Sequence, residues 1–319
     1  MVNREAVFRW HQVPGQPIYY QLLYQKQYTS AMSDFPVSLT TPLPIPISNA
    51  DGTRTAVIAA PARRLTASTL LSLRVPGGLA TAGVNGRYFL ARCGVQTEAE
   101  RWQQWQIYLR RPLFGVRRQA GLTKEAGDTW EVHVPLSADP GYAWLLQQPV
   151  GQTINLLGPL GQGFALQPHN RNLLLLADAA RAPLLFALID SMLDRRGRVT
   201  LLVRGSADAI AALTPLLPLQ VEVRQATTAA MWTEQISELV PWADQIALAL
   251  PHDALPTVAA LIRQRRFRVD AGFAQVLVEA DLVCGVGACL ACVVQVRDGG
   301  HTRTCVHGPV MDLMAVVSA

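Results

Sequence analysis

Cys284, Cys289, Cys292 and Cys305 read Cys-x4-Cys-x2-Cys-x12-Cys near the C-terminus. The first three keep the plant-type spacing of a 2Fe–2S ligand loop. Three thiolates on one tight loop, with a fourth from a following segment, can supply two sulfurs to each iron. Gly285 and Gly287 suit such a loop. The backbone there must take angles that a Cβ resists and bring N–H groups close to sulfur. A chain with this segment is expected to move single electrons.

Zinc is the competing reading of the same thiols. Structural zinc sites usually present two short ligand pairs. The five-residue step from Cys284 to Cys289 breaks that pattern, although His301 and His307 are near in sequence. A disulfide framework fits less well, because a large chain with five cysteines and no secretory pattern is not a stapled mini-domain. Cys93, the remaining cysteine, reads as a buried thiol.

The 319 residues allow two or three domains, and at 50% apolar and 16% charged they suit packed cores. The net charge of +5 is scattered. The densest basic stretch, Arg263-Gln264-Arg265-Arg266-Phe267-Arg268, reads better as cations at a helix C-terminus than as a nucleic-acid surface. No nucleic-acid partner is expected. The greasiest run, Leu173 to Leu193, is broken by Asp178, Arg181 and Asp190 and parses as strand, turn and helix, so no membrane insertion is expected. Without a signal pattern, a cytoplasmic location is expected.

The hydrophobic period divides the chain. Residues 1–52 end in the proline-rich Thr41–Ile47 and read as an N-terminal extension lying over the body or a partner. Residues 53–167 carry short strand signals at Ala56–Ala60, Thr69–Val75, Arg87–Arg92, Trp130–Val134 and Thr153–Leu157, which predict a small antiparallel β-barrel. Residues 168–269 alternate strands (Leu173–Leu176, Val199–Val203, Leu219–Val223, Ile246–Leu250) with helices (Pro183–Arg195, Leu255–Arg265). That alternation predicts a doubly wound parallel α/β domain. Residues 270–319 form a C-terminal module carrying the cysteines.

This order resembles the electron-transfer subunit of the heteromeric dihydroorotate dehydrogenases, a branch of the ferredoxin–NADP reductase superfamily. The resemblance covers about residues 53–319. Its motifs are Gly86–Arg92, Leu109-Arg110-Arg111-Pro112-Leu113, Leu157-Gly158-Pro159-Leu160-Gly161-Gln162-Gly163-Phe164, the cysteine loop and Cys305-Val306-His307-Gly308-Pro309-Val310. It implies a ferredoxin-like 2Fe–2S module and FAD on the barrel. Arg111 would meet the FAD phosphates, held on a strand stiffened by Pro112, with Leu113 beside the isoalloxazine and Tyr142 and Gly158 in the same neighbourhood. A rigid guanidinium fork matches a pyrophosphate, which gives Arg111 its rationale. The implied partner is an FMN-containing catalytic subunit that oxidises dihydroorotate in pyrimidine synthesis, within a hetero-oligomer.

Three departures stand out. Relatives carry a small hydroxyl residue where this chain has Phe114. Their glycine-rich nicotinamide turn is here Ala177-Asp178-Ala179-Ala180-Arg181-Ala182-Pro183, without a glycine, and their Cys-Gly-Pro turn is replaced by Leu250-Pro251-His252. Side chains crowd a loop that relies on Cβ-free backbone, so weak or absent NAD(H) binding is expected. Two alternatives stay open: a non-catalytic docking or relay subunit that has lost NAD and possibly FAD, and a stand-alone NAD(P)H–flavin reductase.

Overall fold

The computed structural model describes residues 43–77, 84–94, 103–123 and 126–317. Most of the predicted N-terminal extension, 1–42, therefore lies outside the described residues. Its last part is seen at Ile47–Ser48 (β1), which pairs with the first long strand.

The barrel is built from β2 (Arg54–Arg64), β3 (Ser68–Val75), β4 (Tyr88–Arg92), β5 (Arg110–Gln119), β6 (Asp128–Pro135) and β7 (Thr153–Leu160). The strand order is β2-β3-β6-β5-β4-β7, and β7 returns to pair with β2, so the sheet closes. Alternation decides what fills it, since successive side chains point to opposite faces. Phe89, Leu113, Trp130, Val132 and Leu156 are fully buried in one interior cluster, and Phe89 meets Trp130 edge-on at 4.9 Å. Tyr88, Leu90, Phe114 and Val116, one residue out of phase, face the α/β domain instead. Closure pairs the outer strands of this six-stranded set, β2 and β7, with each other. Two short helices, α1 (Trp105–Tyr108) and α2 (Pro140–Leu146), lie on the connections.

The second sheet runs β10-β9-β8-β11-β12-β15, from β8 (Asn172–Asp178), β9 (Arg198–Arg204), β10 (Glu222–Ala226), β11 (Gln245–Ala249), β12 (Ala274–Leu277) and β15 (Val310–Asp312). All pairings are parallel except β12 with β15. Its helices are α3 (Phe186–Asp194), α4 (Ala207–Ala211), α5 (Ala229–Leu239) and α6 (Leu255–Arg265). β8 is buried on both faces, as a central parallel strand requires. Leu173, Leu175 and Ala177 pack with Phe186, Ile189 and Met192 of α3, whereas Leu174 and Leu176 pack with Leu255, Val258 and Ile262 of α6.

The strand expected at Leu219–Val223 starts later, at Glu222. Pro218 opens a turn there, with Val221 N–H bonded to Pro218 O at 3.1 Å, and Leu219 is left exposed. The helix expected from Pro183 opens as a 3-10 turn, Ala182–Leu185, before α3. Arg263 and Arg265 sit in the last turn of α6, and Arg266 stacks 4.2 Å from the Phe273 ring, which agrees with the helix-end reading of that basic stretch.

The boundary drawn from sequence at residue 270 cuts through this sheet. Both β12 and β15 fall within 270–319 yet complete the α/β layer. What projects from the sheet is the segment between them, with its hairpin β13 (Val293–Gln295) and β14 (His301–Arg303), followed by α7 (Thr304–His307). The last helix, α8 (Leu313–Val316), packs back on the α/β core.

Candidate functional site: a four-cysteine loop beside the barrel

Pairing of β13 with β14 explains how the fourth cysteine returns. Val293 opposes Arg303, and beyond that pair Thr304 N–H donates to Cys292 O at 3.0 Å. Cys305, the second residue of α7, then stands with its Sγ 3.2 Å from the Cys292 Sγ. Both are buried, at 1% and 3% exposure. Cys284 and Cys289 make the second neighbourhood. Backbone N–H groups of Cys289 and Val286 turn toward the Cys284 sulfur and pull its thiol down to about 6, with the Cys289 side chain adding to the effect. Burial pushes Cys305 up to about 11, and its contact with Cys292 works in the same direction.

The loop depends on left-handed backbone. Gly285 and Gly287 have φ of +73° and +77°. A Cβ on Gly285 would also lie 2.6 Å from Leu160 Cδ1 and 3.0 Å from Leu90 Cδ1 of the barrel. All five cysteines among the described residues are free thiols. No three His, Cys, Asp or Glu side chains among the described residues are grouped to hold one metal ion. Four thiolates in two pairs, with amide N–H groups aimed at one sulfur, are the donor set of a 2Fe–2S cluster, and these residues fit it. Cys289 is exposed, and so are the apolar side chains of Val283, Val286, Leu290, Val293 and Val306 in the same segment.

The flavin-side residues are only partly brought together. Arg111, Pro112 and Tyr142 meet, since Tyr142 O–H donates to Pro112 O at 2.9 Å. The Arg111 fork is already engaged. Its Nε donates to Asp139 Oδ1 at 2.7 Å, and its terminal nitrogens donate to Leu109 O and Gln106 O at 2.5 and 2.6 Å. The same Asp139 oxygen accepts from Gly141 and Tyr142 N–H at 2.8 and 3.0 Å, capping α2. Nothing in the sequence reading gave Asp139 a role, although Asp before Pro-Gly is a helix-start signal.

Leu113, expected beside a flavin ring, faces the barrel interior because strand alternation turns it inward. Gly158 lies on β7 at φ +129°, and its carbonyl accepts from Arg54. Phe114 is buried 5.6 Å from the Tyr88 ring in the apolar cluster that joins barrel to α/β domain. Three of the five Arg111 N–H groups are thus committed inside the protein, one of them to the Asp139 carboxylate, which competes with a phosphate for the fork. Asp139→Asn keeps a capping residue while removing the charge that holds the fork. The variant is expected to bind added FAD several-fold more tightly, read by quenching of flavin fluorescence.

Where relatives of the resembled family have the nicotinamide turn, this chain has an ionic knot. Asp178 pairs with both Arg204 and Arg181, and Arg181 also grips Glu279 through two bonds of 2.8 and 2.7 Å. His133 Nε2 reaches Ala180 O at 2.9 Å from the barrel, and burial lowers its pKa to about 4, so the ring is neutral. Cys93 is buried and pushed up to about 12 by that burial.

A closed antiparallel barrel followed by a mostly parallel α/β sheet, with a four-cysteine loop projecting from it, is the architecture of this chain, and solved structures share the fold over much of its length. The NADH-dependent reduced ferredoxin–NADP oxidoreductase superposes with a TM-score of 0.61 at 18% identity, over 82% of this chain and 89% of that one. The ferredoxin reductase of carbazole 1,9a-dioxygenase gives 0.53 at 16% identity, over 70% and 68%. At those identities the likeness is one of fold.

Sequence comparison is more specific. Residues 279–317 match the family model for the iron–sulfur cluster binding domain of dihydroorotate dehydrogenase B. The electron transfer subunit of dihydroorotate dehydrogenase B (NAD(+)) from Shouchella clausii is 30% identical over 184 residues, covering 54% of this chain and 68% of that protein. The Geobacillus kaustophilus subunit is 28% identical over 187 residues, covering 56% and 70%. A homologue from Aquifex aeolicus is 49% identical over 39 residues, covering 12% and 16%. The chain belongs to the family of dihydroorotate dehydrogenase B electron transfer subunits.

Proposed function

We propose that this chain is the electron-transfer subunit of a heteromeric dihydroorotate dehydrogenase, with a 2Fe–2S cluster and FAD as its cofactors and an FMN-containing catalytic subunit as its partner. The carrying observation is the cysteine loop: two pairs of thiols, one buried and one reaching an exposed apolar rim. When bound, the cluster supplies one-electron transfer. Cys292 and Cys305 anchor it on the body, while the N–H groups of Cys289 and Val286 favour negative charge on the Cys284 sulfur. The rim at Val286, Leu290 and Val306 excludes water where a partner comes close, and tunnelling needs that approach. The family and the barrel support FAD.

The ionic knot at Asp178, Arg181 and Glu279 favours a second reading, in which the subunit relays electrons without exchanging hydride with a nicotinamide. No helix among the described residues is long and apolar enough to cross a membrane. A cytoplasmic location is part of the proposal. The test is co-expression with a catalytic dihydroorotate dehydrogenase subunit, anaerobic purification, reduction by dihydroorotate and low-temperature paramagnetic resonance. A cluster signal that appears with substrate is expected, and Val286→Asp is expected to weaken co-purification. Stoichiometric zinc with a silent spectrum would end the proposal.

A further inference from the structure

Two arginines stand opposite each other on the barrel ladder without an acid between them. Arg92 ends β4, Arg110 opens β5, and the two are direct partners in the antiparallel register. Like charges directly opposite on one sheet face are destabilising. Arg110 and Arg111 are neighbours on one strand, so alternation sends their side chains to opposite faces. The fork tied to Asp139 therefore belongs to the other face. Neither Arg92 nor Arg110 has a carboxylate within ion-pair distance among the described residues. Asp51 is near enough to feel the Arg92 charge, but its Oδ1 accepts from the Thr53 N–H at 2.9 Å and the Thr53 hydroxyl at 2.7 Å.

Beside the pair lies a cavity of about 290 Å³. Small-ligand pockets span about 300–1,000 Å³, so this space suits a ligand at the small end of that range. Arg92, Trp144, Gln148, Gln152, Thr153 and Asn155 line it. Arg110 stands behind this wall and braces it. Its terminal nitrogens donate to Asn155 Oδ1 at 2.7 Å and to Leu90 O at 2.8 Å. Asn155 Nδ2 donates in turn to Thr53 Oγ1 at 2.8 Å, which fixes the amide. The Arg92 guanidinium lies 5.3 Å from the centre of the Tyr108 ring, a contact that holds the charge without neutralising it. Two cations, three side-chain amides and an indole wall match the chemistry of a phosphate joined to a flat heterocycle.

We propose that Arg92 and Arg110, with the Trp144 wall, form a binding site for an adenine nucleotide. Its phosphate supplies the negative charge that the opposed guanidiniums lack, and its base packs on the indole. The ADP half of FAD and a free adenine nucleotide share this chemistry. With FAD as the source, the inference rests on the flavin reading above and locates that half of the cofactor. The site is built from the barrel alone and does not depend on the cluster.

The test titrates the full chain with ADP by calorimetry, once free of flavin and once loaded with FAD. Iron content and circular dichroism serve as controls. ADP is expected to bind the flavin-free protein, and Arg92→Gln is expected to weaken it about tenfold, as for the loss of one charge-assisted bond. If FAD is the source, loading FAD abolishes ADP binding and the same variant weakens FAD as well. If a free nucleotide is the source, ADP still binds the FAD-loaded protein. Either result supports the site. No ADP binding to either form, or an unchanged affinity in Arg92→Gln at equal iron and ellipticity, overturns the inference and leaves the cluster reading standing. Should that variant fold poorly, Thr153→Glu sets a carboxylate in the lining instead. It is also expected to weaken ADP about tenfold, and an unchanged affinity there overturns the proposal.

Discussion

Cys305→Ala, prepared without air, is expected to lose essentially all bound iron and the reduced-cluster signal, while its far-ultraviolet circular dichroism stays that of the folded protein. The separation of effects follows from where the residue stands. Cys305 lies in α7 beside Cys292, outside the ladders of both main sheets. Its removal deletes one thiolate of four and leaves a diiron centre with an open position, which free thiols elsewhere cannot fill. Cys93 is the remaining cysteine, and it is buried in the barrel cluster with Phe89 and Trp130. Iron analysis and paramagnetic resonance read the result. Full iron content in the alanine variant would remove Cys305 from the ligand set.

Phe114→Ser is expected to destabilise the protein by about 3–5 kcal/mol, the range for truncating a buried phenylalanine. The substitution restores the small hydroxyl residue found in the resembled family. Here, however, the ring is 9% exposed and packs against Tyr88 in the cluster that joins barrel, α/β domain and buried cysteines. Serine would leave a void there and bury a hydroxyl. Urea unfolding followed by tryptophan fluorescence measures the loss. A change below about 1 kcal/mol would mean that the surroundings collapse to fill the space.

The contrast between the two substitutions reflects how the molecule is divided. The cysteine loop is a projection whose ligands can be lost one at a time. The Phe114 region is shared by all the layers. Arg111 illustrates a third case, a residue whose type is right for an anion but whose fork is committed inside the protein to Asp139 and two carbonyls.

Much of the fold was legible in the chain. The change from period-two strand signals to alternating strands and helices near residue 172 marks the passage from barrel to parallel sheet, and α6 begins and ends at the predicted Leu255 and Arg265. Local rules suffice there, because alternation and helix termini are properties of a few consecutive residues. The same rules misplaced β10, since an exposed Leu219 scores like a buried one. They also could not see that β12 and β15 belong to the α/β sheet, because pairing across more than thirty residues leaves no local mark.

The site divides in the same way. The spacing of Cys284, Cys289 and Cys292 is a short-range property, and the expectation of a ligand loop rests on it alone. That Cys305 returns to Cys292 required the β13–β14 hairpin register. The tertiary structure alone decided the rest: that Asp139 satisfies Arg111, and that Arg181 is tied to Asp178 and Glu279. Arg111 and Asp139, and Arg181 and Glu279, are far apart in sequence, and the fold alone brings them together. Which partner satisfies a charge is set by the packed neighbourhood and cannot be read from the order of residues.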